Sequence, residues 1–582
     1  VIRSGYSFKL AVGHLAEVTS RLCEIGWSTA PLADRGGTFG FVNWSKACKR
    51  DGLRPAYGVE IAVTPDLHAS KPVTDHWVFM AKGDMAALNA LVRKATSLVT
   101  AKAEPMLAYT DAMAAKGVVK IAQEFALADQ IDFSAPDLYL GLTPATPVPL
   151  YRAAVRRGAR FLAMPRNMYP RADDQEFYRV MLGRHRSSTQ TYPQHIVSDD
   201  ELRSCHRLFA PPWEEALAAR REVLEASTAS LAMAEMLSFD SDKTLRQLCL
   251  EGAARLGVDL SDPVYAERLD RELALIAEKN FEDYFFIIID LVMWAKQRMV
   301  VGPARGSSCG SLVCYLTGIT SIDPIPHGLI FERFIDVTRA DLPDIDLDFS
   351  DARRDLVMRY AEQKYGDRMA RLANVGFFQP RSALNQIGVA LKIPSGAISR
   401  VAETAIKRSM GDSRKGSTIA DTLTDTDAGR ELLREWPEAR MVTRFEGHPD
   451  HPGVHAAGIV MTNRPIADYV AVDMRNRTAM CNKYDAESLN LLKIDALGLT
   501  QLSIFERCME LLGRESRSGW LETLPLDDPR AFEVLNSHKY CGVFQFTGTA
   551  MRALARQITF ESLEDIVAAT ALVRPGPLSS GG

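Results

Sequence analysis

The residues best placed to do chemistry lie in the run Pro343-Asp344-Ile345-Asp346-Leu347-Asp348-Phe349. In an extended strand alternate side chains share a face. Asp344, Asp346 and Asp348 therefore line one side, while Ile345, Leu347 and Phe349 turn toward a core on the other. Carboxylates crowded in this way repel one another unless cations neutralise them. Magnesium, a hard ion that prefers oxygen ligands, does so. Two such ions about 4 Å apart can activate an attacking oxygen and stabilise a leaving one in phosphoryl transfer. An acidic edge strand that only discourages sheet-to-sheet pairing would show the same alternation.

A second run, Gly302-Pro303-Ala304-Arg305-Gly306-Ser307-Ser308-Cys309-Gly310-Ser311, leads into apolar sequence from Leu312 to Leu316. Small residues let a backbone approach phosphate oxygens, and N–H groups at a helix start can point at them. Arg305 and the serine hydroxyls add charge and hydrogen bonds. No Gly-Lys-Ser/Thr closes the run, so it is not a P-loop, and a plain tight turn has the same composition. In Leu491-Leu492-Lys493-Ile494-Asp495-Ala496-Leu497-Gly498-Leu499, Lys493 and Asp495 share one strand face. Alone they read equally well as a surface ion pair. Combined with the acidic run they offer a third carboxylate and a cation able to reach a triphosphate. The stretch His448-Pro449-Asp450-His451-Pro452-Gly453-Val454-His455 suggests zinc, but its prolines and glycine preclude a regular helix and no cysteine lies nearby.

The elements that must position these residues follow from periodicity. Residues 1–235 alternate apolar runs with amphipathic stretches, as in strands Tyr57–Val63 and His76–Ala81 and a helix Met85–Leu98, which argues for an α/β domain of barrel-like kind. An Ala/Glu/Arg-rich helix over Trp213–Leu237 closes that region. Helical sequence follows over Lys243–Met299, then the Gly/Ser run, then extended sequence over Leu329–Asp348. The segment Ala352–Trp436 reads as mainly helical with a polar break at Ser409–Asp427. Strand-like sequence resumes at Val454–Met461 and Leu491–Ile494, and Leu499–Leu572 is mostly helical. A helical insertion between strand-bearing pieces implies one domain interrupted by another.

The 582-residue chain exceeds a single compact core, and 47% apolar with 24% charged residues is a folded, water-compatible balance. The longest apolar stretch, Tyr284–Trp294, is broken by Asp290 and too short to span a bilayer. The chain starts Val1-Ile2-Arg3, with no secretory pattern and no initiator Met, and is read as trimmed there. Nine scattered cysteines without a CxxC pair fit reduced thiols rather than zinc or disulfides; Cys309 and Cys314 are the closest pair. The net charge of −4 is unlike that of a nucleic-acid binder, yet basic residues outnumber acidic ones over Arg353–Lys415.

Taken together these motifs resemble the family C DNA polymerases, the bacterial DNA polymerase III α subunits. That family carries a GPGRGSxxGSL loop, an FERF segment, a PDxDxDF strand, a VHAGG turn and an LLKxDFLGL strand. This chain shows, in the same order, Gly302–Leu312, Phe331-Glu332-Arg333-Phe334, Pro343–Phe349, Val454-His455-Ala456-Ala457-Gly458 and Leu491–Leu499. Gly542-Val543-Phe544-Gln545 and Arg574-Pro575-Gly576-Pro577-Leu578 resemble motifs of the family's fingers.

The resemblance implies an α/β multidomain fold. Its parts are a PHP-like (polymerase and histidinol phosphatase) distorted β/α barrel at 1–237, a polymerase β-like nucleotidyltransferase palm at 238–373 and 441–499, a helical thumb at 374–440 and partial fingers at 500–582. It implies Asp344, Asp346 and Asp495 as catalytic ligands of two Mg2+ ions, with Asp348 in support. Arg305, Gly306, Ser307, Ser308, Arg333 and Lys493 would bind nucleotide. Implied partners are primer–template DNA, dNTP, a sliding clamp and other replisome subunits, in the cytoplasm. A polymerase-like accessory that binds DNA or replication partners without efficient catalysis is the alternative.

Departures from the pattern are specific. Metal-binding PHP members begin with an H-x-H strand, where this chain has Val1 and Arg3. Their TDH reads Ala33-Asp34-Arg35, and their N-D-x-H reads Pro165-Arg166-Asn167-Met168, leaving Asp34, Glu60 and His76. Arginine cannot ligate a metal, which predicts a structural domain without 3′–5′ exonuclease activity. The fingers' FQLESxGM reads Phe544-Gln545-Phe546-Thr547-Gly548-Thr549-Ala550-Met551. Asn385 and Asp450 each replace an arginine. The chain stops where the family continues with an arginine-rich fingers helix, so it is expected to be truncated within the fingers.

Overall fold

The computed structural model describes residues 2–100, 103–123, 127, 130–182, 194–204, 213–303, 305–336, 343, 345–405, 418–515 and 519–573. Asp344 and the 574–578 motif lie outside them.

The first sheet contains β1 (Thr29–Arg35), β2 (Arg54–Thr64), β3 (Asp75–Ala81), β4 (Met106–Ala108), β5 (Val118–Ala122), β6 (Leu138–Leu142) and β7 (Phe161–Ala163). Its order is β1-β2-β3-β5-β6-β7, with β4 pairing β2. Ile2 bridges to Leu32 in β1 and to Asn167 just beyond β7, so the first residues draw the two edges of a curled sheet toward each other. The strands expected at Tyr57–Val63 and His76–Ala81 and the helix at Met85–Leu98 match β2, β3 and the helix Met85–Ser97, which Asp84 caps by accepting from Ala86 N–H. Helix Trp213–Ala226 is shorter than expected: its register ends at Ala226, and the chain then leaves for the second sheet. There Ala234 N–H donates to Leu489 O at 2.8 Å and Asn490 Nδ2 donates to Ala234 O at 2.9 Å.

The second sheet contains β8 (Asp346–Ser350), β9 (Met369–Phe377), β10 (Pro449–Met461), β11 (Val472–Asp473), β12 (Thr478–Ala479) and β13 (Leu492–Leu499). Its order is β11-β12-β9-β10-β13-β8, with β13 antiparallel to β10 and parallel to β8. One face packs on helices Leu245–Leu256, Pro263–Glu278, Glu282–Lys296 and Arg354–Tyr365; Ile345, Leu347, Phe349, Ile459, Ile494 and Ala496 all belong to that core. The expected inward turn of Ile345, Leu347 and Phe349 is therefore present.

Three expectations need correction. Residues 369–377, expected to be helical, form strand β9, because Ala370, Leu372, Ala373 and Val375 are buried between β12 and β10 and sheet pairing overrides alanine's helical preference. Phe331–Arg333, expected to be extended, is a 3₁₀ turn that sinks Phe331 into the core. Part of the expected polar break is helix Thr418–Asp425, while 406–417 lie outside the described residues. Helices Pro380–Ala390, Ser395–Glu403, Thr418–Asp425 and Asp427–Glu435 lie between β9 and β10 and share a core with Tyr169, Phe177 and Met181 of the N-terminal region.

Candidate active site at the β8–β13 seam

Strand β13 lies alongside β8 with Asp495 as the register partner of Asp346. Neighbouring strands run about 4.8 Å apart and paired residues share a face, so both carboxylates rise from the same side of the sheet. Lys493 stands two residues back on that face, and its Nζ lies 2.5 Å from Asp495 Oδ2. Asp495 Oδ1 is buried and has no hydrogen-bond partner among the described residues. An orphaned anionic oxygen beside a second carboxylate is costly to bury. The donor set is entirely oxygen, which suits a hard divalent cation. Among the described residues no cluster of three metal-ligating side chains occurs, and Asp344 falls outside them.

The Gly/Ser loop is laid against this pair. Gly302 N–H donates to Asp348 O at 2.8 Å, and Val301 bridges to Phe349. Arg305 Nη1 donates to Asp348 Oδ1 at 3.1 Å, so the buried Asp348 holds an exposed guanidinium beside the site. Gly306 adopts φ +70°, and a Cβ there would stand 3.3 Å from Asp346 Oδ2. The backbone thus reaches the carboxylate at a point where a side chain would crowd it.

Ser307 is exposed, whereas Ser308 is turned inward and its hydroxyl donates to Arg305 O at 2.9 Å. Arg333 is exposed on the 3₁₀ turn Phe331–Arg333, which packs beside the loop.

The N–H groups at the start of helix Leu312–Leu316 are not available to phosphate, contrary to the simplest reading of the loop. Fully buried Glu272 takes them, accepting from Leu312 N at 2.9 Å, Val313 N at 3.0 Å and Ser311 Oγ at 2.8 Å. Burial pushes the Glu272 carboxyl up, against these bonds and its pair with Arg268 Nε at 2.6 Å. Arg268 also donates to Gly310 O and Leu329 O, tying the loop to the 331–333 turn. Nothing local in Asp270-Arg271-Glu272 distinguishes this glutamate; an acidic residue on an apolar helix face is its one sequence signal.

The histidines of 448–455 do not converge. His448 is buried against His14, Phe177 and Phe378, and its Nδ1 contacts Pro449 O at 3.0 Å. Burial, reinforced by His14, holds its pKa down at about 4. His451 is exposed beside Asp450, which also meets Lys9 at 3.0 Å. His455 Nδ1 accepts from Ala457 and Gly458 N–H groups.

In the N-terminal sheet, Arg3 Nε donates to Glu60 Oε2 at 2.6 Å and Arg3 Nη2 to Gln123 Oε1 at 3.1 Å, with both charged residues buried. Burial would raise the Glu60 carboxyl, but Arg3, Arg35 and His76 hold it below the ordinary range. Asp34 is filled by Ser4 N–H at 2.7 Å, Ser4 Oγ at 2.8 Å and Ser7 Oγ at 2.6 Å. Arg35 pairs with Glu104 at 2.6 Å and contacts His76. The three acidic or imidazole groups left at these positions are all engaged by protein donors.

Residues 243–498 match the family model of the bacterial DNA polymerase III alpha NTPase domain, and residues 501–582 match that of the bacterial DNA polymerase III alpha subunit finger domain. DNA polymerase III subunit alpha of Aquifex aeolicus (strain VF5) is 29% identical over 97% of this chain and 56% of its own length. The Bacillus subtilis (strain 168) protein of the same name is 28% identical over 100% of this chain and 55% of its own. That of Halalkalibacterium halodurans is 35% identical over 57% of this chain and 30% of its own. The chain thus spans about half the length of the first two relatives. With two adjacent family models side by side along the C-terminal part and relatives of one name aligning along nearly the whole chain, it belongs to the bacterial DNA polymerase III alpha family.

Proposed function

We propose that this chain carries out template-directed DNA synthesis, joining a dNTP to a primer 3′-OH and releasing pyrophosphate. The observation that supports this most is the pairing of Asp346 with Asp495 across the parallel β8–β13 seam, with Asp495 Oδ1 unpartnered among the described residues. Asp344, Asp346 and Asp495 would hold the metal. Two divalent ions bound there supply the charge that activates the 3′-OH and stabilises the leaving oxygen.

The protein's own groups do the rest. Lys493, which pairs with Asp495, would offer its charge to a phosphate of the bound nucleotide. Gly306 and Ser307 bring backbone and hydroxyl to the triphosphate, and Arg305 neutralises it from its seat on Asp348. Ser308 acts from within, by bracing the Arg305 carbonyl, and exposed Arg333 lies at the rim.

In this reading residues 1–237 are a PHP-like platform, 238–373 with 441–499 the palm, 374–440 the thumb and 500–582 part of the fingers. Strand β9 runs past 373 to Phe377, so the palm sheet reaches slightly into the thumb interval. The Arg3–Glu60 pair supports a platform held by an internal cation rather than by a metal. Primer–template DNA, a sliding clamp and other replisome subunits are the proposed partners, in the cytoplasm.

The test is primer extension with magnesium. The chain should extend a primed template, and Asp344→Ala should abolish extension while leaving duplex binding intact. Undiminished extension by that variant refutes the assignment. Duplex binding by the unaltered chain without any incorporation would favour an accessory role.

A further inference from the structure

We propose that His455 is a fixed hydrogen-bond donor to the last phosphodiester of the primer strand, an inference that rests on the polymerase reading above. Strand β10 breaks register between Val454 and Ile459. The bulge formed there brings the His455 imidazole back onto Gly458. Its Nδ1 accepts from Gly458 N–H at 2.7 Å and Ala457 N–H at 3.2 Å, and a Cβ on Gly458 would stand 2.9 Å from that nitrogen. Gly458 is in turn the register partner of Asp495. The imidazole therefore occupies the place of a side chain at 458, on the face that carries Asp495 and one strand away from it. Arg354 donates to Ala456 O and ties the bulge to helix Arg354–Tyr365.

A ring nitrogen that accepts two N–H bonds carries no proton, so the proton of the neutral imidazole resides on Nε2. His455 Nε2 has no hydrogen-bond partner among the described residues, and the ring is half-buried. The result is one donor, set in a single tautomer and a single orientation, beside the carboxylate pair.

Geometry selects the acceptor. The Gly302–Ser311 loop lies on the β8 side, with Gly306 against Asp346 and Arg305 on Asp348. Attacking and leaving oxygens in phosphoryl transfer are roughly in line, on opposite sides of the transferred phosphorus. A triphosphate cradled on the β8 side places the attacking 3′-OH on the β10 side, where His455 stands. The acceptor nearest a primer's 3′ end is its last phosphodiester, and an anionic oxygen makes the bond charge-assisted.

The experiment compares a natural primer with one whose last linkage is an uncharged methylphosphonate. Primer–template affinity, by fluorescence anisotropy, and extension are measured for the full chain, His455→Asn and His455→Ala. Asparagine keeps an oxygen able to accept the bulge's N–H groups but has no donor that reaches as far as Nε2. The unaltered chain should bind the methylphosphonate primer about tenfold more weakly than the natural one. His455→Asn should lose that discrimination and bind the natural primer about tenfold more weakly than the unaltered chain does. Discrimination retained in His455→Asn overturns the proposal. So does full activity in His455→Asn with loss only in His455→Ala, since the bulge alone would then matter. A chain that binds in the expected pattern yet extends nothing keeps this contact and refutes the reaction. One that extends primers without discriminating keeps the reaction and refutes the contact.

Discussion

Asp346 and Asp495 are register partners on adjacent parallel strands, although most of the second sheet and a whole helical insertion separate them in sequence. Everything else at the seam answers to that pairing. The loop is pinned to β8 through Asp348, Lys493 screens Asp495, and Glu272 holds the loop's far end.

Glu272 makes the first prediction. Glu272→Ala leaves two backbone N–H groups, a serine hydroxyl and Arg268 without their common acceptor. Removing one partner of a buried charged network costs about 3–5 kcal/mol. Urea denaturation should register that loss, and in any folded fraction KM for dNTP should rise because the loop is no longer held. Glu272→Gln, which retains an acceptor, should lose less on both counts. Equal stability of Glu272→Ala and the unaltered chain would remove Glu272 from the account.

The N-terminal ion pair makes the second. Arg3→Ala strands a buried carboxylate at Glu60, with an expected cost of about 3–5 kcal/mol. Chelation with EDTA should leave the melting temperature of the N-terminal sheet unchanged. Added manganese should elicit no 3′ exonuclease, and Asp34→Ala should alter no hydrolysis. Manganese-dependent exonuclease that disappears in Asp34→Ala would overturn the platform reading.

His448 sets a pH dependence. Its native pKa is held at about 4, against an ordinary value of 6.5. The unfolded chain takes up this proton near pH 6.5 while the native chain refuses it until about pH 4, so unfolding binds a proton in that window. Stability is therefore intact above pH 6.5 and falls as pH drops toward 4, by roughly 3 kcal/mol from this group. His448→Phe should flatten the acid limb of denaturation curves measured between pH 7 and 4. An unchanged slope would show that other groups carry it.

How much of this was legible in the sequence depends on the range of the interaction. The alternation around Asp346 and the Lys493/Asp495 spacing mark strands locally, because a period of two needs no partner to be seen. Strand β9 is not visible this way: Met369-Ala370-Arg371-Leu372-Ala373 has helical propensity, and only burial between β12 and β10 makes it extended. The register that sets Asp495 opposite Asp346, Glu272's capture of a distant helix start, and the Lys9–Asp450 pair are all long-range. No window of sequence contains both halves of any of them. Asp450 stands where the family has arginine. Alone it reads as a loss, whereas in the fold it gains Lys9.

If carboxylates from β8 and β13 hold one cation jointly, Mn2+ binding followed by electron paramagnetic resonance will show it. The full chain should bind Mn2+ tightly. Asp346→Asn, Asp495→Asn and the double variant should each lose about the same affinity, because either side chain alone cannot complete the site. Independent, additive losses, or Mn2+ binding that survives in the double variant, would contradict it.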